Sequence, residues 1–282
     1  MRWQKGRRST NVLDRRNMSR GKKVAGGGIG MIIIALIAMF LGVDPRMVMQ
    51  IGGGIGGGEV QQSAPRSPEE DKLAEFVKVV LADTEDTWHP IFKQLGRQYR
   101  EPKLVLFTGA TNSACGYAQA AMGPFYCPGD QQVYIDLAFY QEMKHKFGAP
   151  GDFAQAYVIA HEVGHHVQTL LGISEKVQYA KSQSSRVEAN AIQVRMELQA
   201  DCFSGVWANK AHTNRQLLEQ GDIEEGLNAA AAIGDDTLQR KTQGYIVPES
   251  FTHGTSAQRQ EWFIRGLKSG DISSCDTFSE NI

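Results

Sequence analysis

Two histidines and a glutamate in His161-Glu162-Val163-Gly164-His165 have the types and the spacing that a hydrolytic zinc ion needs. In an α-helix, positions i and i+4 project from nearly the same face, so His161 and His165 can share one metal without backbone strain. Glu162 lies about a quarter-turn away, where a carboxylate can take a proton from an activated water. The expected chemistry is hydrolysis with one Zn2+ ion as cofactor, and the expected substrate is a protein or peptide.

A catalytic zinc takes three protein ligands and keeps one position open. A ligand six residues beyond His165 is excluded, because the positions that would continue such a motif hold Gln168 and Leu171. The third ligand must come from a separate helix, and Glu197 is the best candidate. Asp201, one turn further, is placed to accept the free ring N–H of a ligand histidine. Met196, Leu198, Ala200, Cys202 and Phe203 interleave this pair, and buried carboxylates need a partner or a metal. Near the C-terminus His253 precedes a helix; it either steadies the oxyanion of a tetrahedral intermediate or merely sits in a capping loop. Arg259 could pair with a carboxylate near the site. His166 lies about 100° round the helix from His165 and reads as packed or supporting, while His89, His145 and His212 read as structural.

The elements that must position these residues follow from periodicity. Phe153, Ala156, Tyr157, Ala160, Val163 and Val167 recur at helical intervals, with Asp152 as the expected cap after Pro150-Gly151. A second helix is expected over about 186–211 and a third over 256–268, with Thr255 or Ser256 as its cap. Earlier, helices are expected near 69–82 and 88–95 and short strands at 104–107 and 133–136. Between those strands, a Gly-rich and aromatic stretch contains Tyr117-Ala118-Gln119, read as an edge strand that binds substrate backbone. A stapled surface loop explains the same composition.

The segments around His161-Glu162-Val163-Gly164-His165-His166, Glu197-Leu198-Gln199-Ala200-Asp201 and His253-Gly254-Thr255-Ser256 resemble the bacterial neutral zinc metallopeptidases of the YpfJ-like family. The resemblance covers nearly the whole chain. It implies His161, His165 and Glu197 as zinc ligands, Glu162 as general base and Asp201 as the orienting carboxylate. It also implies a zincin-like α+β domain, mainly helical with a small sheet, preceded by a single transmembrane helix.

Residues 1–23 carry nine Lys or Arg against Asp14 alone, and residues 24–43 are an uncharged run of twenty, long enough to span a bilayer. The basic flank orients such a span with the N-terminus in the cytoplasm. The expectation is an uncleaved signal anchor in the bacterial inner (cytoplasmic) membrane, with the catalytic domain in the periplasm or outside; a core helix or a cleaved signal peptide is the alternative. Residues 44–66, with Gly52-Gly53-Gly54-Ile55-Gly56-Gly57-Gly58, read as a flexible tether, and 67–282 as the metallopeptidase domain. The net charge of −1 hides an acidic remainder of 21 basic against 30 acidic residues after the first 23, which argues against a nucleic-acid partner. Cys115, Cys127, Cys202 and Cys275 allow three pairings; Cys115–Cys127 and Cys202–Cys275 are expected in an oxidising compartment, with free thiols the alternative. Two other functions share these features: a membrane-tethered binding or assembly protein with a structural or inactive zinc site, and a zinc amidase acting on a cell-wall component. The oligomeric state has no signal in the sequence.

Overall fold

In the computed structural model, which describes residues 1–16 and 67–280, a four-stranded sheet lies beside a larger set of helices. Its strands are β1 (Val12–Asp14), β2 (Lys103–Phe107), β5 (Phe125–Cys127) and β6 (Gln132–Asp136), in the order β1-β2-β6-β5. The first three in that order run parallel, and β5 runs antiparallel to β6 at the edge, with Tyr126 opposite Val133. β3 (Ala110–Ser113) and β4 (Gly116–Gln119) form a separate hairpin. Leu104, Leu106, Val133 and Ile135 present one buried face to the helices, as alternation in a strand requires.

The helices are α1 (Pro68–Gln94), α2 (Ala138–His145), α3 (Asp152–Leu171), α4 (Ile173–Ser182), α5 (Arg186–Arg215), α6 (Asp222–Ala232), α7 (Asp235–Gln243) and α8 (Ser256–Ser269). α1 replaces the two helices expected at 69–82 and 88–95. It continues through Pro90 because Trp88, Ile91 and Phe92 on either side of the proline are buried in the core. α5 starts with a capping box between Ser185 and Glu188, and α8 with one between Thr255 and Gln258. Asp152 is not the cap of α3 but its first residue; Gly151 holds the cap position, and Glu225 of α6 accepts the Phe153 backbone N–H at 3.0 Å.

α3 crosses α5 at Gly164, where an added Cβ would lie 3.1 Å from the Ala200 carbonyl oxygen. The glycine inside the histidine motif therefore lets the two ligand-bearing helices approach. α5 meets α8 still more closely, since a Cβ on Gly266 would fall on the Cys202 carbonyl. Disulfides join Cys115 to Cys127 and Cys202 to Cys275, the pairing expected.

The first sixteen residues are part of this fold. β1 pairs with β2, Met1 and Trp3 are buried in the core, and the Met1 ammonium reaches Asp152 at 2.8 Å and Asp222 and Glu219 at 3.3 Å. β1 of the basic N-terminal segment and β2 thus share one sheet. The expected span at 24–43 and the tether at 44–66 lie outside the described residues. Among the described residues no helix is long and apolar enough to cross a membrane.

Candidate active site

The middle of α3 and the middle of α5 face each other across the Gly164 contact, and this brings His161, His165 and Glu197 together. One donor atom from each lies within 4.8 Å of the others. Glu197 Oε2 stands 3.1 Å from His161 Nε2 and 3.3 Å from His165 Nε2. The remaining polar atoms of each residue are held elsewhere. His161 Nδ1 meets Asp201 Oδ1 at 2.8 Å, His165 Nδ1 meets Gln168 Oε1 at 2.8 Å, and Glu197 Oε1 accepts from Gln193 Nε2 at 2.7 Å. Acceptors on both Nδ1 atoms fix N–H there, so it is the Nε2 atoms, facing Glu197, that are free to lose a proton and bind a metal.

Asp201 is fully buried and serves four donors. Besides His161, it accepts from the Tyr157 hydroxyl at 2.5 Å and from Arg259 Nε and Nη2 at 2.8 and 2.9 Å. Burial pushes its carboxyl up, yet Arg259 and His161 draw it down to about 2. Burial also pushes His161 down, but Asp201 and Glu197 outweigh it and raise the ring to about 10. Glu197 lies well below its ordinary range despite burial, held there by the two histidines.

Three buried carboxylates, Glu162, Glu197 and Asp201, thus converge with Arg259 as the one buried guanidinium beside them. Two imidazoles that give up their Nε2 protons to a metal, together with a carboxylate, are a donor set suited to zinc, and the surplus negative charge is what a dication would neutralise. The residues present fit the metal.

A cavity of about 450 Å3 opens onto this cluster and is bordered by His161, Glu162, His165, Glu197, His253 and Arg259. Glu162 points into it as the spacing predicts. His253 comes from the loop before α8 and is half exposed; its Nδ1 lies 3.2 Å from Asp235 Oδ1. The other carboxylate oxygen of Asp235 accepts the backbone N–H groups of Thr252, His253 and Gly254 at 2.7, 2.6 and 3.1 Å. The hydrogen bond to Asp235 raises the His253 ring above its ordinary value.

Tyr117, Ala118 and Gln119 are not in the cavity wall. They form β4 of the separate hairpin, and the wall is made by residues 121–126, including edge strand β5. His166 Nε2 donates to the Arg100 carbonyl at 2.6 Å, so its Nδ1 accepts from the Tyr126 hydroxyl at 3.1 Å and ties β5 to α3. Burial lowers the His166 ring to about 4, which keeps it neutral for that role. His89, His145 and His212 lie outside the cavity wall.

Sequence reasoning missed Gln168, Gln193, Tyr157 and Asp235. The first three sit three or four residues from a ligand on its own helix face, a spacing that could have flagged them. Asp235 is eighteen residues from His253 with no periodic link.

A family model described as "putative neutral zinc metallopeptidase" matches residues 1–278. The chain is 52% identical, over the full length of both proteins, to the uncharacterized protein YpfJ of Escherichia coli K12. It is 39% identical to the uncharacterized proteins Mb2605 of Mycobacterium bovis and Rv2575 of Mycobacterium tuberculosis, covering 86% of this chain and 85% of each relative. No solved structure matches. With three convergent donors on two helices, an inward-facing Glu162 and a family match from the first residue to 278, this chain belongs to the "putative neutral zinc metallopeptidase" family.

Proposed function

We propose that the chain hydrolyses peptide bonds with one zinc ion held by His161, His165 and Glu197. The observation that carries this reading is the opening of that donor set, with Glu162 beside it, onto one cavity. When bound, zinc supplies a Lewis acid and brings a water toward neutral acidity. Glu162 takes a proton from the attacking water and delivers it to the leaving amine. The C–N bond breaks, the hydroxyl joins the acyl carbon, and the amine departs with the proton. His253, with its Nδ1 held by Asp235, presents its other ring nitrogen to the developing oxyanion. Asp201 positions His161, and Gln168 positions His165. Edge strand β5, not β4, offers its backbone to an extended substrate.

A structural zinc would be enclosed by four protein ligands, whereas three donors facing a cavity favour catalysis over a purely binding role. A cell-wall amide would meet the same chemistry. Two disulfides support folding in an oxidising compartment. The reading therefore places the folded unit, residues 1–16 and 67–280 together, on the outer side of the bacterial inner membrane.

The test is zinc content and casein hydrolysis of the full chain beside its Glu162→Gln variant. Stoichiometric zinc in both, with cleavage lost only in the variant, is the expected result. Cleavage retained by Glu162→Gln, or a chain that binds no zinc, would overturn the reading.

A further inference from the structure

The two disulfides stand in opposite surroundings. Cys202 and Cys275 are both fully buried, and Gln199 on the ligand helix donates from Nε2 to the Cys275 carbonyl at 2.9 Å. Cys115 is exposed in the short turn between β3 and β4, while its partner Cys127, the last residue of β5, is buried. The exposed bond closes a ring over residues 115–127, and the cavity wall at 121–126 lies wholly inside that ring.

One end of the ring has anchors of its own. β5 pairs with β6, Phe125 stacks on Tyr134 with ring centroids 4.8 Å apart, and the Tyr126 hydroxyl meets His166. At the other end, hairpin β3–β4 forms a sheet of its own, and the Ala114 N–H donates to Asp130 Oδ2 at 2.9 Å. Between them residues 120–122 make a single 3-10 turn, with Met122 exposed. The disulfide is the covalent tie across this stretch, so opening it frees the chain where the wall borders the donors.

We propose that Cys115–Cys127 is a redox switch on the cavity wall: a dithiol reductant opens it and slows peptide hydrolysis, while Cys202–Cys275 stays closed. This rests on the peptidase reading above. A thiolate of the reductant attacks the Cys115 sulfur, the S–S bond breaks, and Cys127 leaves as a thiolate that takes a proton. The second thiol of the reductant then displaces Cys115 from the mixed disulfide. The chain gains two electrons and two protons, and the dithiol ends as a disulfide. Exchange needs access to a sulfur, which separates the exposed bond from the buried one. A wall displaced by about an ångström lowers turnover on the order of 10- to 100-fold through lost positioning.

The experiment titrates the zinc-loaded full chain with a reduced protein dithiol of the Cys-x-x-Cys type and traps free thiols with iodoacetamide. Labelled cysteines are read by mass spectrometry beside casein hydrolysis and zinc content. Cys115 and Cys127 should be labelled at a dithiol concentration about tenfold or more below that needed for Cys202 and Cys275. Hydrolysis should fall about tenfold in step, with zinc content unchanged and full recovery on reoxidation. The Cys115→Ser/Cys127→Ala chain should hydrolyse at the reduced chain's rate and ignore the dithiol. In parallel, amide hydrogen exchange at 120–126 should quicken about tenfold on reduction while α3 and α5 stay protected. The proposal is overturned if the exposed bond resists the dithiol, if Cys202–Cys275 opens first or together with it, if hydrolysis is unchanged once it is open, or if zinc leaves in step with the labelling. No cleavage in either state overturns the peptidase reading instead, and exchange at 120–126 then decides the wall separately: no change on reduction removes the switch.

Discussion

The two histidine–aspartate pairs that border the cavity are built differently. His161 and Asp201 sit on facing helices, both buried, in a network closed by Tyr157 and Arg259. His253 and Asp235 sit on a loop and the first turn of a helix, and the ring is half exposed. A ligand must hold one geometry against a metal, so its partner is buried and overdetermined. A group that meets a transient charge needs reach more than rigidity, and three backbone N–H groups hold its carboxylate while the ring stays open to the cavity. On the proposed function, the contrast teaches that the same pair of residue types serves retention in one place and turnover in the other.

The strongest way to break the contrast is Asp201→Asn. It leaves the Arg259 guanidinium buried without its carboxylate partner and exchanges the charged acceptor that fixes His161 for a neutral amide. Loss of about 3–5 kcal/mol in denaturant unfolding is expected, with zinc affinity down about 10- to 100-fold. An Asp235→Asn chain that loses as much zinc would erase the distinction.

His253→Ala tests the other half. Removing one donor to a developing oxyanion costs on the order of 100- to 1000-fold in kcat, and zinc content should not change. If the variant also loses zinc, measured by a chelator-release assay, His253 belongs to the metal site instead.

Gln168→Ala sharpens the first half, because this amide links His165 to Gln199 and through it to the Cys275 carbonyl. Zinc affinity should fall about tenfold with modest change in the melt. Affinity equal to that of the unsubstituted chain would mean that helix packing alone orients His165.

Much of the rigid half was legible in the sequence, because its parts are local. His161, Glu162 and His165 lie on one amphipathic helix, Glu197 and Asp201 repeat the four-residue spacing, and Arg259 stands just after a readable cap. The compliant half was legible only as His253, since Asp235 arrives from a helix whose place depends on tertiary packing. Which strand borders the cavity was hidden for a similar reason. Tyr117-Ala118-Gln119 and Phe125-Tyr126-Cys127 have alike composition, and only the sheet order makes β5 the strand beside the cavity. The pairing of β1 with β2 joins residues some ninety positions apart across an uncharged run that dominates any reading by hydropathy. Parallel pairing leaves no turn signal to reveal it.

The smallest expected effect is the dependence on pH of the compliant pair. The hydrogen bond to Asp235 raises His253, so its contribution to stability is complete below the unfolded value of about 6.5 and fades as pH rises through the higher folded value. Burial pushes Asp235 up, yet the His253 ring and the backbone N–H groups bring it below 3.8; its contribution is complete above that pH and fades as pH falls through the lowered value. The pair is therefore fully formed between about pH 4 and 6.5. The melting-temperature gap between the unsubstituted chain and Asp235→Asn should be widest there and narrow on the alkaline side, while the gap for Asp201→Asn should keep the part that rests on the always-charged Arg259 guanidinium. A gap for Asp235→Asn that stays constant from pH 5 to about 9 would mean that the backbone N–H groups, and not the imidazole, are what Asp235 holds.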